Sequence, residues 1–480
     1  MPEVDVLIVG GGPVGLSARA LLRRWGVSTL LVEKHRELSP FPRSRLVNVR
    51  SMEIFRHLGI ADTVRDRAFA AKFGRVRFRD TLLDRDFGAA PMIGVDGPIP
   101  DSPEFGVVTS QDRLEPTLVA AADGPLRFGV ALTDLSEKDD GVVATLVDHE
   151  DGSTNECRAR YVIAADGAGS TTRQLLGITT DGPGALMKMT TVVFDADLTR
   201  WSADQPAGVY MTANGMFAPI YPEGGWAWIT SNPEGTDWAG LVSKAIGADV
   251  AVKVLRVQQW TVTGFVASRF QHGRVFLVGD AAHTVPGAGG LGMNAGLAAA
   301  HNLCWKLAGV LQGWAGPGLL ATYDTERQQV ARITLKQAVA NTQLMRSAQE
   351  RRREQLLAGE VSPDDVELPW SDRYFAQLGL VLGVTYGSTD EPGTEYVPST
   401  EPGSRMPHRL LADGRSTLDA VGEWFTLFTP DPGRWSTAGP WPLRVESFDD
   451  TVLVRPDGHV AGCPTDQADL ERILESFTHR

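Results

Sequence analysis

Three turns rich in glycine and acid hold the residues whose types and spacing could do chemistry. In the first, Gly10-x-Gly12-x-x-Gly15 stands between an apolar, β-branched run at 4–9 and an amphipathic stretch at 13–25. In such a strand–turn–helix unit the first glycine permits the tight turn and the second lets a pyrophosphate approach the backbone. The third lets helix pack on strand, and the phosphates meet the helix N-terminus. Pro13 lies inside this turn. Glu33 ends a second β-branched run at 28–33, with Lys34 next. A carboxylate there can accept ribose hydroxyl protons and would repel a 2′-phosphate. Gly10→Ala is expected to block the pyrophosphate and yield apoprotein.

The second turn closes the buried run 162–165 with Asp166-Gly167, and Ser170 and Arg173 follow. The third closes the run 275–278 with Gly279-Asp280. It continues as Pro286-Gly287-Ala288-Gly289-Gly290-Leu291-Gly292-Met293-Asn294, which opens a helix. A glycine-rich loop at a helix N-terminus offers N–H groups to an anion or to developing negative charge. In a reduced flavin that charge lies on the pyrimidine edge of the ring.

The elements that must position these turns follow from periodicity. The first unit is a βαβ of ordinary length. Helices are predicted over 49–58, 114–122, 296–312 and 319–343, with Gly59 as a C-cap for the first. Residues 187–261 carry short alternating runs rich in aromatics and broken by Pro and Gly, the pattern of an inserted antiparallel sheet. Arg351–Arg353 reads as a solvated helix face. The stretch 392–402 reads as linker, and Pro456-Asp457-Gly458 signals a hairpin.

Bulk properties limit the function classes. With 480 residues the chain should fold as several domains. Its net charge of −13 argues against non-specific binding to nucleic acid or to an anionic membrane. Cys157, Cys304 and Cys463 form no CxxC pair, so no metal site and no disulfide framework is expected. No secretory signal and no spanning segment are read, and a cytoplasmic protein, monomer or homodimer, is expected.

Taken together, the motifs resemble those of the single-component FAD-dependent aromatic hydroxylases, the class A flavoprotein monooxygenases. Among these they are most similar to hydroxylases of actinobacterial polyketide and indolocarbazole pathways. The matching pieces are Gly10–Gly15 with Glu33, Pro42-Arg43-Ser44-Arg45, Arg50-Ser51-Met52-Glu53, Gln111, Asp166-Gly167 and Gly279-Asp280 through Lys306. Gly403–His408 and Ser416–Asp419 match as well. The resemblance implies an α/β fold. An FAD-binding, Rossmann-like domain of the glutathione-reductase type would occupy 1–72, 106–184 and 269–392. A mainly antiparallel β substrate domain would occupy 73–105 and 185–268, and a thioredoxin-like domain 393–480.

By the same resemblance, Arg43 would contact the FAD pyrophosphate and Gln111 the ribityl chain or ring. Asp280 would hold ribityl hydroxyls. Pro286 and the backbone of Gly289, Gly290, Gly292, Met293 and Asn294 would line the isoalloxazine. Asp166-Gly167 would serve both FAD and NADPH (or NADH). The inserted sheet would roof a flat ligand, with Phe217, Tyr221, Trp226 and Trp228 as candidate contacts. The implied reaction inserts one oxygen atom, through a flavin C4a-hydroperoxide, into a bulky aromatic or polyketide-type natural-product intermediate. The alternative is a non-redox cyclase that keeps FAD as a structural element. The chain departs from the family at Ala298-Ala299, where many members carry an acid. No obligatory side-chain base is visible: His283 reads as a brace and Cys304 as core.

Overall fold

The computed structural model describes residues 3–231, 233–359 and 377–478. Its first layer is a parallel sheet. The strands Val275–Leu277, Thr154–Ala164, Glu3–Val9, Thr29–Glu33 and Leu126–Phe128 lie side by side in that order. Val6, Leu7, Ile8 and their neighbours are fully buried because both faces of this sheet are covered. One face packs on the helices Pro13–Arg24 and Leu291–Gln312. The other packs on an antiparallel meander formed by Val130–Lys138, Gly141–Asp148 and the start of Thr154–Ala164. This is the predicted Rossmann-like domain.

A second eight-stranded sheet is built from segments that the chain inserts between the parallel strands, together with one short strand that follows the last of them. Its order is His283–Thr284, Lys253–Ala267, Thr180–Asp195, Gly224–Ser231, Gly215–Tyr221, Val209–Thr212, Arg75–Arg79 and Asp86–Pro91. All neighbours are antiparallel except Val209–Thr212 with Arg75–Arg79. The helix Trp238–Ile246 covers one face. The long helix Ala321–Leu357 runs from the parallel sheet to this one. There Arg352, which sequence had placed on a solvated face, is buried and hydrogen-bonds Asp80 in a fork. A carboxylate on a distant turn claims that guanidinium, and local charge pattern could not show it.

The C-terminal lobe has a four-stranded sheet, Leu443–Ser447, Phe425–Thr429, Val452–Val454 and Val460–Gly462. Its first pair is parallel and the rest antiparallel, with the helix Gln467–Thr478 alongside. That is a thioredoxin-like arrangement. Trp305 of the helix Leu291–Gln312 is built into this lobe's core against Phe425 and Phe477. Arg405 reaches out of the lobe to the helix Val49–His57, where Glu53 and the Asp101 carbonyl accept hydrogen bonds from it. Cys463 is this lobe's one cysteine, so it holds no dithiol pair.

Candidate functional site

The three turns meet at the carboxyl ends of the parallel strands, where open α/β sheets bind their ligands. The Val9 carbonyl accepts the Ala165 N–H at 2.8 Å, and the Val32 carbonyl accepts the Gly10 N–H at 2.8 Å. These bonds hold the first turn against the second. Gly10 has φ +110°, and a Cβ there would lie 2.3 Å from the Ala165 carbonyl oxygen. Gly15 is equally enclosed, 2.0 Å from the Gly10 carbonyl oxygen. Gly12 is different: it N-caps the helix Pro13–Arg24 without a side chain, and a Cβ there meets nothing within 4 Å. The first-turn N–H groups thus face open space with no side-chain cap, the arrangement a pyrophosphate needs. The sequence expectation for Gly10→Ala is corrected here. That methyl would strike the protein's own backbone, whereas a methyl at Gly12 would project into the cradle.

Glu33 ends its strand as predicted. Its carboxylate accepts the Gly11 N–H at 2.7 Å and the His35 N–H at 2.9 Å, which pins the turn to the second strand. Lys34 beside it is exposed. Asp166 is fully engaged inside the protein, accepting from Ser170 Oγ and from the Thr172 N–H and hydroxyl. It shapes the Asp-Gly turn in which Gly167 takes φ +82°. Arg173 is buried, and its guanidinium donates to the carbonyls of Ala281 at 2.9 Å and Ala168 at 2.7 Å. It clamps the second turn to the third.

Asp280 opens onto the cleft while protein surrounds it, and this desolvation raises its carboxyl to about 6, opposed by Arg43. Arg43 itself is exposed to the cleft and makes no side-chain hydrogen bond or ion pair among the described residues. Gln111 opens the helix Gln111–Ala120 and donates to Glu115 at 2.7 Å. Burial pushes Glu115 up to about 7, against the hydrogen bond from Gln111 and the charge of Arg43. Sequence reasoning missed Glu115; its i+4 spacing from Gln111 was the available signal. A cation without a partner, an acid held near its proton and an uncapped helix N-terminus fit a dinucleotide of the FAD type. Arg43 and the first turn of Pro13–Arg24 would hold the pyrophosphate, and Asp280 the ribityl hydroxyls.

The glycine-rich loop is buttressed from behind. Pro286 is buried, Gly289 and Gly290 have φ +93° and +63°, and Met293 packs against the main core. Gly292 sits so that a Cβ would reach Val285 at 3.4 Å. The Asn294 side chain is only 3% exposed and makes four hydrogen bonds. It accepts from the Asn48 N–H (2.9 Å) and Ser51 Oγ (2.6 Å), and donates to the Leu46 (2.9 Å) and Gly290 (2.6 Å) carbonyls. Asn294 is therefore a positioning residue, and only its backbone is free to line a ligand. His283 is buried and stacks on Phe270, and burial with the nearby Arg327 charge lowers its imidazole to about 4. That makes it a neutral core group, as expected for a brace. Cys304 is buried and its thiol is pushed up.

The aromatic roof is where expectation and structure part. Phe217, Trp226 and Trp228 lie in the core between the second sheet and the helix Trp238–Ile246, with Tyr210, Val192 and Phe194. Phe217 stacks on Trp228 at 6.4 Å. The opposite face carries Val193, Ile220 and Ala227, clustered with Tyr221 and Ile229. Tyr221 alone of the four reaches the flavin-side domain, donating to Asp112 beside Gln111. Period-2 alternation separates two faces but does not say which one a helix will cover. Arg45 was also missed as a connector: its buried guanidinium donates to the Gly208 and Pro219 carbonyls of the second sheet.

Among the described residues no group of His, Cys, Asp or Glu could hold a metal ion. Among them, too, no helix is long and apolar enough to cross a membrane.

The fold and cleft define an FAD-binding protein, and the FAD binding domain family matches residues 3–338; the chain belongs to that family. More particularly, it is 35% identical to tetracenomycin B2 monooxygenase-dioxygenase of Streptomyces olivaceus, across 96% of this chain and 89% of that protein. Two solved structures superpose along its length. The flavin-dependent monooxygenase PieE, in complex with FAD and substrate, does so with a TM-score of 0.87 at 32% identity, covering 99% of this chain and 100% of PieE. The rebeccamycin biosynthetic enzyme RebC with reduced flavin gives 0.88 at 32% identity, covering 99% and 98%.

Proposed function

We propose that the chain is an FAD-dependent monooxygenase. It uses NADPH or NADH to insert one oxygen atom into a bulky aromatic or polyketide-type natural-product intermediate. The carrying observation is the cleft itself: an uncapped helix N-terminus at Gly12, Arg43 without a side-chain partner among the described residues, and Asp280 with its carboxyl raised by burial, all at the strand ends. The reading is supported by the similar proteins, which are named as monooxygenases. FAD, when bound, supplies the reductive activation of O₂. The residues do the rest. After the loop Pro286–Gly290 the helix Leu291–Gln312 begins without a side-chain cap, and at its N-terminus negative charge on the flavin's pyrimidine edge would be stabilised. Asn294 and Arg173 hold that loop and its neighbouring turn in place. The sheet face of Val193, Ile220, Ala227 and Ile229 is apolar and lies opposite the helix-covered one.

Purified protein, once its flavin spectrum is recorded, is assayed for NADPH and NADH oxidation with and without a panel of polycyclic phenols. Accelerated oxidation with a product heavier by one oxygen supports the reading. Conversion without mass gain or NAD(P)H use would replace it with a non-redox cyclisation.

A further inference from the structure

Behind the glycine-rich loop, the helices Leu291–Gln312, Ala321–Leu357 and Leu378–Leu382 border a partly open cavity with the C-terminal lobe. It offers about 60 Å³, several times the roughly 10–15 Å³ that one water needs. Its wall includes Arg327, only 5% exposed. This guanidinium donates to the Tyr386 hydroxyl at 2.9 Å and the Ala295 carbonyl at 3.2 Å. Both partners are neutral, its Nε has no partner, and it makes no ion pair among the described residues. A guanidinium stays charged even when buried, and a buried charge without a counter-charge is costly.

The other charges around the cavity do not supply one. Arg50 and Arg405 share the single carboxylate of Glu53. Asp457 and Glu326 are taken up by Arg455, and Glu326 also by Lys306. Among these groups five cations face three carboxylates. The loop helix presents Ala295 and Ala298 here, the latter belonging to the Ala298-Ala299 pair at which the chain departs from the acid of many similar hydroxylases. His301, also on the wall, has its Nδ1 buried and unpartnered.

We propose that this cavity binds one small monovalent anion, a halide or an oxyanion the size of formate or nitrate, with Arg327 as its main partner and His301 beside it. The site is distinct from the dinucleotide cleft and touches it indirectly. Arg327 holds the Ala295 carbonyl near the start of the helix that the glycine-rich loop opens, so the anion completes the support behind that loop.

The test is thermal unfolding of the purified protein in sodium chloride, formate or nitrate against sodium gluconate, at matched ionic strength. It reads unfolding, not turnover, so it stands whether or not the monooxygenase assignment does. A saturable rise in Tm with the small anions, absent in gluconate and lost in Arg327→Met, is the expected result. Ala298→Asp places a carboxylate on the cavity wall. This variant should unfold in gluconate at or above the parent Tm and no longer respond to small anions. Equal Tm values for the parent in all four salts would overturn the proposal. So would a full anion response retained by either variant.

Discussion

Gly12→Ala separates the ligand's needs from the protein's own. Gly12 has φ −76° and ψ 179°, an extended conformation open to alanine, and a Cβ there meets nothing within 4 Å. The apoprotein should fold normally. Its stability should change little, because the narrower unfolded ensemble, worth about 0.4–1 kcal/mol, is offset by alanine's poorer fit at a helix N-cap. A bound pyrophosphate must approach the backbone where the new methyl projects. Overfilling a packed contact costs about 1–3 kcal/mol, which is roughly a 5- to 150-fold rise in the Kd for FAD. The assay is titration of apoprotein with FAD, followed by flavin fluorescence, alongside Tm values with and without FAD. The holoprotein should lose Tm while the apoprotein does not. An unchanged Kd would refute the placement of the phosphates. Gly10→Ala cannot make the same distinction. With φ +110° and a carbonyl oxygen 2.3 Å from the added methyl, it damages the strand crossing itself.

Other substitutions probe the supports. Asn294→Asp keeps the acceptor for Asn48 and Ser51 but turns a carboxylate toward the Leu46 and Gly290 carbonyls; at about 1–3 kcal/mol for each buried group left unsatisfied, Tm and FAD retention should both fall. Asp280 titrates near 6 in the folded state against 3.8 ordinarily, so the stability it lends is complete below about 4 and is lost as pH rises through 6. Apoprotein carrying Asp280→Asn should therefore outlast the parent above pH 6 and match it near pH 4 in urea melts, while binding FAD more weakly. Arg405→Met leaves Glu53 buried with Arg50 alone, at a cost of about 3–5 kcal/mol, and limited proteolysis should then release the C-terminal lobe first.

What the sequence determined by itself is local and periodic. The βαβ with Gly10, Gly12, Gly15 and Glu33, the helix opened by the 286–294 loop and the strand-terminal acids Asp166 and Asp280 all stand where read. Each depends on backbone conformation within a few residues, which glycine, proline and β-branching encode directly. Tertiary structure decided which partner each side chain keeps. It set Asn294 to bonding four groups of the chain, closed Asp166 around Ser170 and Thr172, and gave Arg352 to Asp80. It also turned Phe217, Trp226 and Trp228 toward the helix Trp238–Ile246. An alternating strand offers two equivalent faces until another element covers one, and a buried polar group takes whichever partner the folded chain brings within reach. Both are settled by residues distant in sequence, beyond what spacing alone can show.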